Sequence, residues 1–302
     1  MESQESIKLM EKNLERIKNN ESSRKKDKKL IFNYFKRVAK YISMGQFGYA
    51  KYAVKRAFSV ATTGEKMDPV AERSRIVNPD ERIAVYTVLF GNYDALKNPL
   101  FVSEQCDYFV LTNQDIKDQS VWKKYDLSNF DEETKNFSNL EKARYFKLHP
   151  HVLFPEYKYS IFIDANIQTV TDLVPIVEQL GDNFIGIHNQ PGRDCVYQEA
   201  TEILVIKKAP KDQVMPQIKA YKKEGFPEHY GLFRTCVVVR EHMNPQCIRL
   251  MDLWWENINK YSKRDQLSFT YCLWRMGLDK SAVSNLGYDA RTNPRFIESM
   301  HS

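Results

Sequence analysis

The chain has 302 residues and a mass of 35.5 kDa, with 42% hydrophobic and 13% aromatic residues, enough for a sizeable core and too much for a disordered chain. Its 11 glycines complete no G-x-G-x-x-G, G-x-x-x-x-G-K-[ST] or G-x-S-x-G string, and H-E-x-x-H and C-x-x-C are absent as well. A dinucleotide fingerprint, a Walker loop, a hydrolase elbow and the familiar zinc signatures are therefore set aside. The net charge of +6 is uneven: residues 1–60 hold 15 Lys or Arg and 6 Asp or Glu, whereas 61–302 hold 30 and 33.

The basic excess thus defines an N-terminal helical arm, residues 1–60. No apolar run approaches the roughly 18–20 residues that span a bilayer. The opening MESQESIKLMEKNLERIKNN is charged and helical in pattern, unlike a secretory leader. Five cysteines without paired spacing fit a reducing compartment, so the expected location is cytoplasmic. Within the arm, Ile7, Met10, Leu14 and Ile17 follow heptad-like spacing, a candidate seam for a homo-oligomer through residues 7–17. Ile31, Phe35, Val38 and Ile42 form a second stripe flanked by Lys28, Lys29, Lys36, Arg37 and Lys40. GYAKYAVKRAF at 48–58 is again basic and aromatic. Either the stripe packs on the body, or the arm docks on an anionic membrane surface and makes the protein peripheral on its inner face. No nucleic-acid reader motif accompanies these charges, so nucleic acid is not an expected partner. Residues 61–81, with Pro69 and Pro79, read as a polar linker to a domain at 82–302.

From there the pattern alternates. IAVYTVLF (83–90) reads as a buried strand running into Gly91-Asn92-Tyr93-Asp94, and YFVL (108–111) runs likewise into Thr112-Asn113. Residues 138–154 read as helical up to Pro150, with Ser138 and Glu141 at capping-box spacing. YSIFI (159–163) enters Asp164-Ala165-Asn166, FIGI (184–187) enters His188-Asn189, and CVVV (236–239) adds a further strand. Such alternation predicts an α/β sheet covered on both faces, with a polar ligand beyond the carboxyl ends of its strands.

Asp164 is the sharpest candidate for chemistry. A carboxylate just after a buried strand suits Mg or Mn as a hard oxygen ligand, although Asp also caps turns and helices. Arg144 and Lys147 share one helix face and suit phosphate or sugar hydroxyls, or plain solvation. The loop at 188–200 gathers His188, Arg193, Tyr197 and Glu199. Asp265 and Gln266 open the last helix, where the helix dipole alone would favour an acid. The functional alternative is a base or polar group at a reacting carbon. Trp254, Trp255 and Trp274 read as core, and His149 and His151 as structural.

The string KARYFKLHPHVLFPEYKYSIFIDAN resembles the donor-site segment of GT-A glycosyltransferases. With RDCVYQEA, EGFPEHYGLF, VVVREH, SKRDQLSFTYCLWR and FIESMHS, residues 83–301 resemble domain-of-unknown-function family 616. That family includes plant mucilage-related and turgor-regulation proteins and bacterial relatives. The resemblance implies a GT-A-like mixed sheet flanked by helices, a nucleotide-sugar donor with a UDP-sugar first among candidates, and Mn2+ or Mg2+. It places Asp164 as the leading acid of D-x-D, Arg144 at the donor sugar, and Asp265 with Gln266 beside that sugar. His301 resembles the late histidine that completes a metal shell with Asp164 and Asn166. Asn166, in the last D-x-D position, is a neutral and weaker ligand than a carboxylate. Thr87, Phe90, Gly91, Asn92, Tyr93 and Asn113 would hold the nucleoside, with Lys147, His188 and Arg193 completing the donor site. The implied activity is hexosyl transfer to a glycan or lipid-linked acceptor in cell-surface polysaccharide synthesis. A second reading is a non-catalytic adaptor that uses the basic arm for membrane or protein partners.

Overall fold

A computed structural model describes residues 2–23, 28–43, 47, 48, 50, 51, 53, 54, 70–91, 94–116 and 120–299. Two arm helices, α1 (Gln4–Ser23) and α2 (Lys28–Ser43), precede the sheet. The strands are β1 (Ile83–Leu89), β2 (Cys106–Thr112), β3 (Lys123–Lys124), β4 (Tyr159–Ile163), β5 (Ile167–Thr169), β6 (Ile185–Asn189), β7 (Phe233–Glu241), β8 (Ser284–Asn285) and β9 (Phe296–Glu298). The longer helices of the body are α3 (Asn139–Leu148), α4 (Val196–Val205), α5 (Lys211–Lys223), α6 (Pro245–Lys260) and α7 (Asp265–Arg275).

Seven strands form one mixed sheet in the order β3-β2-β1-β4-β7-β6-β8. β1 runs parallel to β2 and β4, and β7 runs antiparallel to both β4 and β6. Both faces are covered, and the side chains sort by the two-residue period of a strand. Ala84, Tyr86, Phe162 and Val238 join one core cluster, whereas Ile83, Val85, Ile161, Val237 and Val239 join the other. The expected mixed α/β sheet flanked by helices is what the chain forms. β5 and β9 pair separately as a small antiparallel ribbon just beyond the end of β4.

α3 begins as its sequence dictates: Ser138 N–H donates to Glu141 Oε2 at 3.0 Å, and Glu141 N–H donates to Ser138 Oγ at 3.3 Å. It stops at His149, the residue that Pro150 pushes out of helical geometry, and one further turn runs from Pro150 to Leu153. All five cysteines are buried and free.

The arm is fastened to the body. Glu2 pairs with Arg295 at 2.7 Å and Arg73 at 3.0 Å. Ser6 Oγ accepts from Asp172 N–H at 2.9 Å, and Asn13 Nδ2 donates to the carbonyls of Pro294 and Phe296 at 2.7 and 3.1 Å. The inward face of α1 is thus Ser6, Asn13 and Ile17; Ile7 and Leu14, members of the expected seam, are 38% and 37% exposed. α2 presents Tyr41 inward, its hydroxyl donating to Val205 O at 2.7 Å, whereas Ile42 points outward. Of the stripe on α2, the side chains of Ile31 and Phe35 lie outside the described residues. Part of the segment read as a linker is tied down too. Arg75 bonds Gly181 O, Glu241 and Asn183 O at 2.7, 2.6 and 3.1 Å. Among the described residues no helix is long and apolar enough to cross a membrane.

Candidate active site

The carboxyl end of β4 and the amino end of β7 meet at one edge, because β7 runs antiparallel and its Cys236 carbonyl accepts from Asp164 N–H at 2.8 Å. Two elements close over this point. α3 brings Arg144 and Lys147, three residues apart on one helical face, and α7 starts with Asp265.

Lys147 is only 1% exposed. Its ammonium donates to Asp265 Oδ2 at 2.6 Å and to Thr235 O at 2.7 Å, and lies 4.6 Å from the Phe162 ring centroid. Thr235 Oγ1 donates to the same Oδ2 at 3.0 Å, and Arg144 Nη2 stands 3.8 Å from Oδ1. Burial alone would raise the Asp265 carboxyl; the charges of Arg144 and Lys147, the Lys147 hydrogen bond and Arg264 outweigh it and hold the group far below the carboxylate range. Asp265 is therefore an ionised acceptor, poorly suited to take a proton at neutral pH, where a base works best with a pKa near the ambient pH.

Asp164 behaves in the opposite sense. Burial pushes its carboxyl up, Asp265 adds to that rise, and Lys147, Arg144 and Arg234 counter it only in part. Its backbone carbonyl accepts from Ile167 N–H at 2.9 Å in a tight turn. Among the described residues its side chain caps nothing, leaving an unpartnered carboxyl group at the carboxyl end of β4.

Behind Lys147, the fully buried Arg240 donates to Lys147 O at 2.9 Å and to Tyr86 Oη at 2.6 Å. Tyr86 Oη donates to the same carbonyl at 2.7 Å. This clamp on the last turn of α3 fixes the stem from which the Lys147 side chain reaches Asp265.

Gln266 Nε2 is held by Gln190 Oε1 at 2.7 Å and Phe233 O at 2.8 Å, so it belongs to the same edge. Arg193 Nε donates to Glu199 Oε2 at 2.6 Å. Phe90 stacks on Phe146 with centroids 5.8 Å apart, and Gly91, at φ 75°, lies against Asn139, where a Cβ would approach Nδ2 to 3.2 Å. Gln114 donates to Gly91 O, joining the loops that follow β1 and β2 next to the exposed Asn113. Thr87 is buried one turn of strand below. Asn92, Tyr93 and His301 lie outside the described residues.

His188 sits apart from solvent. It is fully buried, bonded through Nε2 to Asn293 Nδ2 at 3.0 Å and edge-on to Phe296. Burial, with Arg234 nearby, pushes its imidazole down to about 3, so it is a neutral core group at the β6–β9 junction. Arg234, which sequence reasoning passed over, pairs with Asp289 and, through two bonds of 2.6 Å, with Glu298. It ties β7 to β9. Thr235 and Gln190 were passed over as well, because only the antiparallel return of β7 brings them to this edge, and so was Arg264, which directly precedes Asp265.

Divalent-metal ligation fits the donor set in part. Asp164 offers a carboxylate, and Asn166 keeps its amide oxygen because Nδ2 donates to Ser299 O at 2.9 Å. Ser299 N–H returns a bond to Asn166 O at 2.9 Å. No group of three His, Cys, Asp or Glu side chains is arranged for a metal among the described residues. Hard oxygens of this kind suit Mg or Mn that take the rest of their shell from substrate phosphates and water. A surface depression of about 480 Å3 lined by Pro245, Ile248, Asp252 and Arg275 lies elsewhere, along α6.

Among proteins of known name, Probable hexosyltransferase MUCI70 of Arabidopsis thaliana is 28% identical over 135 residues, 41% of this chain and 23% of that protein. The chain thus spans less than a quarter of the length of that relative. Among solved structures, the bifunctional glycosyltransferase WbbM is matched over 74% of this chain and 47% of its own, at 16% identity and a TM-score of 0.45. Mouse xyloside xylosyltransferase 1 is matched over 69% and 84%, at 12% identity and 0.41. The galactosyltransferase LgtC, with donor and acceptor sugar analogues, is matched over 67% and 72%, at 13% identity and 0.38. The family described as TOD1/MUCI70, glycosyltransferase-like domain, matches residues 47–301, beginning within the arm. The chain belongs to the TOD1/MUCI70 glycosyltransferase-like family.

Proposed function

We propose that this protein transfers a hexose-type sugar from a nucleoside diphosphate sugar, a UDP-sugar first among candidates, to a glycan or lipid-linked acceptor in cell-surface polysaccharide synthesis. The observation that carries this reading is the pairing of an unpartnered Asp164 with the buried Arg144–Lys147–Asp265 cluster at the carboxyl end of β4.

In the proposed reaction an acceptor hydroxyl oxygen bonds to the anomeric carbon, the bond from that carbon to the diphosphate oxygen breaks and its electron pair leaves with the diphosphate, and the hydroxyl proton passes to the departing diphosphate. Arg144, at the open side of the cluster, faces that developing negative charge. Preorganised cations in a dry site are worth more there than in water. Asp265, kept ionised, faces the positive charge that develops on the sugar. Gln266 contributes its amide oxygen to the sugar hydroxyls, since its amide nitrogen is committed. The loops carrying Phe90 to Tyr93 and Asn113 receive the nucleoside. Mn2+ or Mg2+, held by Asp164 and Asn166 with His301 as a further candidate, would neutralise the diphosphate. Ile7 and Leu14 are the residues left for self-association. Action at the cytoplasmic face of a membrane is part of the same reading.

The test is donor turnover by Asp164→Asn. Loss of turnover in a variant that keeps its circular dichroism is expected; wild-type turnover would remove Asp164 from the reaction. The adaptor is the second reading, and the neutral Asn166, engaged with Ser299, is what favours it. Binding of any nucleotide-sugar would count against it.

A further inference from the structure

The basic charge of the arm has a narrower address than residues 1–60. Residues 1–23 hold four Lys or Arg and five Glu, a net of −1, and α1 is the part fastened to β9 and the turn at 172. Residues 24–56 hold eleven Lys or Arg against one Asp, a net of +10. The described part of this segment, with Lys36, Arg37, Lys40 and Lys51, is seated at a defined place. Tyr41 bonds Val205 O, the last residue of α4, and Tyr41, Ala50 and Val205 form one apolar cluster with Val38 and Ile206 packed against it.

With Tyr41 turned inward, the opposite side of the arm is presented to solvent. Lys36, Ala39, Lys40 and Ser43, at i, i+3, i+4 and i+7, lie on one helical face, and all are exposed. Ile42 is 52% and Phe47 68% exposed beside them, with Lys51 also exposed. The body extends the same chemistry. Lys207 takes the left-handed conformation at φ 56°, a position that usually selects glycine, and Lys208 N–H closes the helix end onto Ile203 O at 2.9 Å. Lys207, Lys208 and Lys211 are exposed just beyond the seat of the arm. Exposed apolar side chains together with exposed lysines are the composition of an interfacial membrane anchor.

We infer that Lys36, Lys40 and Ile42 of α2, with Phe47 and Lys51 after it and the Lys207–Lys211 turn, form a docking surface for an anionic lipid bilayer. α4 links this surface to the loop after β6: it starts three residues after Arg193, which bonds its Glu199, and ends at Val205, the seat of Tyr41, about 15 Å away at 1.5 Å per residue. A bilayer bound by this surface lies alongside the site, where an acceptor carried on a lipid is within reach. The acceptor clause rests on the transferase reading; the docking surface does not.

The experiment is co-sedimentation of the full chain with vesicles of pure phosphatidylcholine and with vesicles containing phosphatidylglycerol, at low and high salt. Sedimentation with the anionic vesicles only, weakened by salt, is the expected result. The triple variant Lys36→Glu, Lys40→Glu, Lys51→Glu should reduce partitioning about a hundredfold, at about fivefold for each basic residue removed. Ile42→Ser with Phe47→Ser should reduce it further, and unchanged thermal midpoints show both variants folded. Failure of the wild type to sediment, equal sedimentation with neutral vesicles, or wild-type binding by the triple variant would overturn the surface. Stronger retention on duplex DNA than on anionic vesicles would assign it to nucleic acid and overturn it equally. None of these readouts uses a nucleotide-sugar, so their failure leaves the transferase reading standing, and failed donor binding leaves the docking surface standing.

Discussion

Asp164 and Asp265 lie at one site and are driven in opposite directions, which gives them opposite signatures in pH. The Asp265 carboxyl is held below its unfolded value, so it contributes stability that is present above about pH 4 and is lost as acid approaches the folded pKa. Asp265→Asn removes that contribution and leaves Lys147 as a buried, uncompensated charge, at a cost of about 3–5 kcal/mol. Denaturant unfolding between pH 3 and 7 should show the variant less stable at neutral pH, with a flatter acid limb. An unchanged acid limb would mean that Asp265 is not the clamped anion described here. The Asp164 carboxyl is raised, so the folded state binds its proton more tightly than the unfolded chain, and its contribution to stability is fully present below the unfolded value and is lost as pH rises through the folded one. Asp164→Asn should accordingly be as stable as the wild type or more so at pH 7 while turnover is lost. These residues were legible because each stands in a local string, a strand end or a helix start. Arg234 and Thr235 were not, because their role depends on β7 returning antiparallel beside β4, and strand direction leaves no mark on the string LFRTCVVV.

At the level of elements, α1 is a brace for the ribbon that carries Asn166 and Ser299. Asn13 donates to two backbone carbonyls at the start of β9, and Glu2 neutralises the buried Arg295, which also bonds Thr171 Oγ1 at 2.9 Å and Asp172 O at 2.7 Å. Asn13→Ala leaves both carbonyls without that donor, so a loss of about 1–3 kcal/mol in denaturant unfolding is expected. Lys18→Ala, on an exposed position of α1, should change nothing measurable. Equal stability of Asn13→Ala and the wild type would show that α1 does not brace the body. The periodicity of α1 was legible, but its inward face was not. Apolar spacing favoured Ile7 and Leu14, whereas the helix docks through Ser6 and Asn13 because its partners are backbone groups that need hydrogen bonds. The capping box and the stop before Pro150 were legible in α3 because both are set within a few residues.

The whole molecule divides its charge by task. A near-neutral α1 binds the body, a segment of +10 follows it, and the remainder from residue 61 is nearly balanced. The mixed sheet was legible from runs of Val, Ile and Phe that end in polar clusters, since burial on both faces demands apolar strands and ligands gather at their carboxyl ends. The order of the strands was not, because it is set by long-range pairing. The central claim is that Asp164 and the cluster behind it bind a nucleotide-sugar. The most direct measurement is a thermal-shift series of wild type and Asp164→Asn with UDP-, GDP-, CMP- and dTDP-sugars, each with and without manganese. A ligand that binds only the native state must raise the midpoint by an amount set by its concentration over its affinity. A rise with one nucleotide class is expected in the wild type, largest with manganese and lost in Asp164→Asn. No rise with any donor in the folded wild type, or an equal rise in the variant, would contradict it.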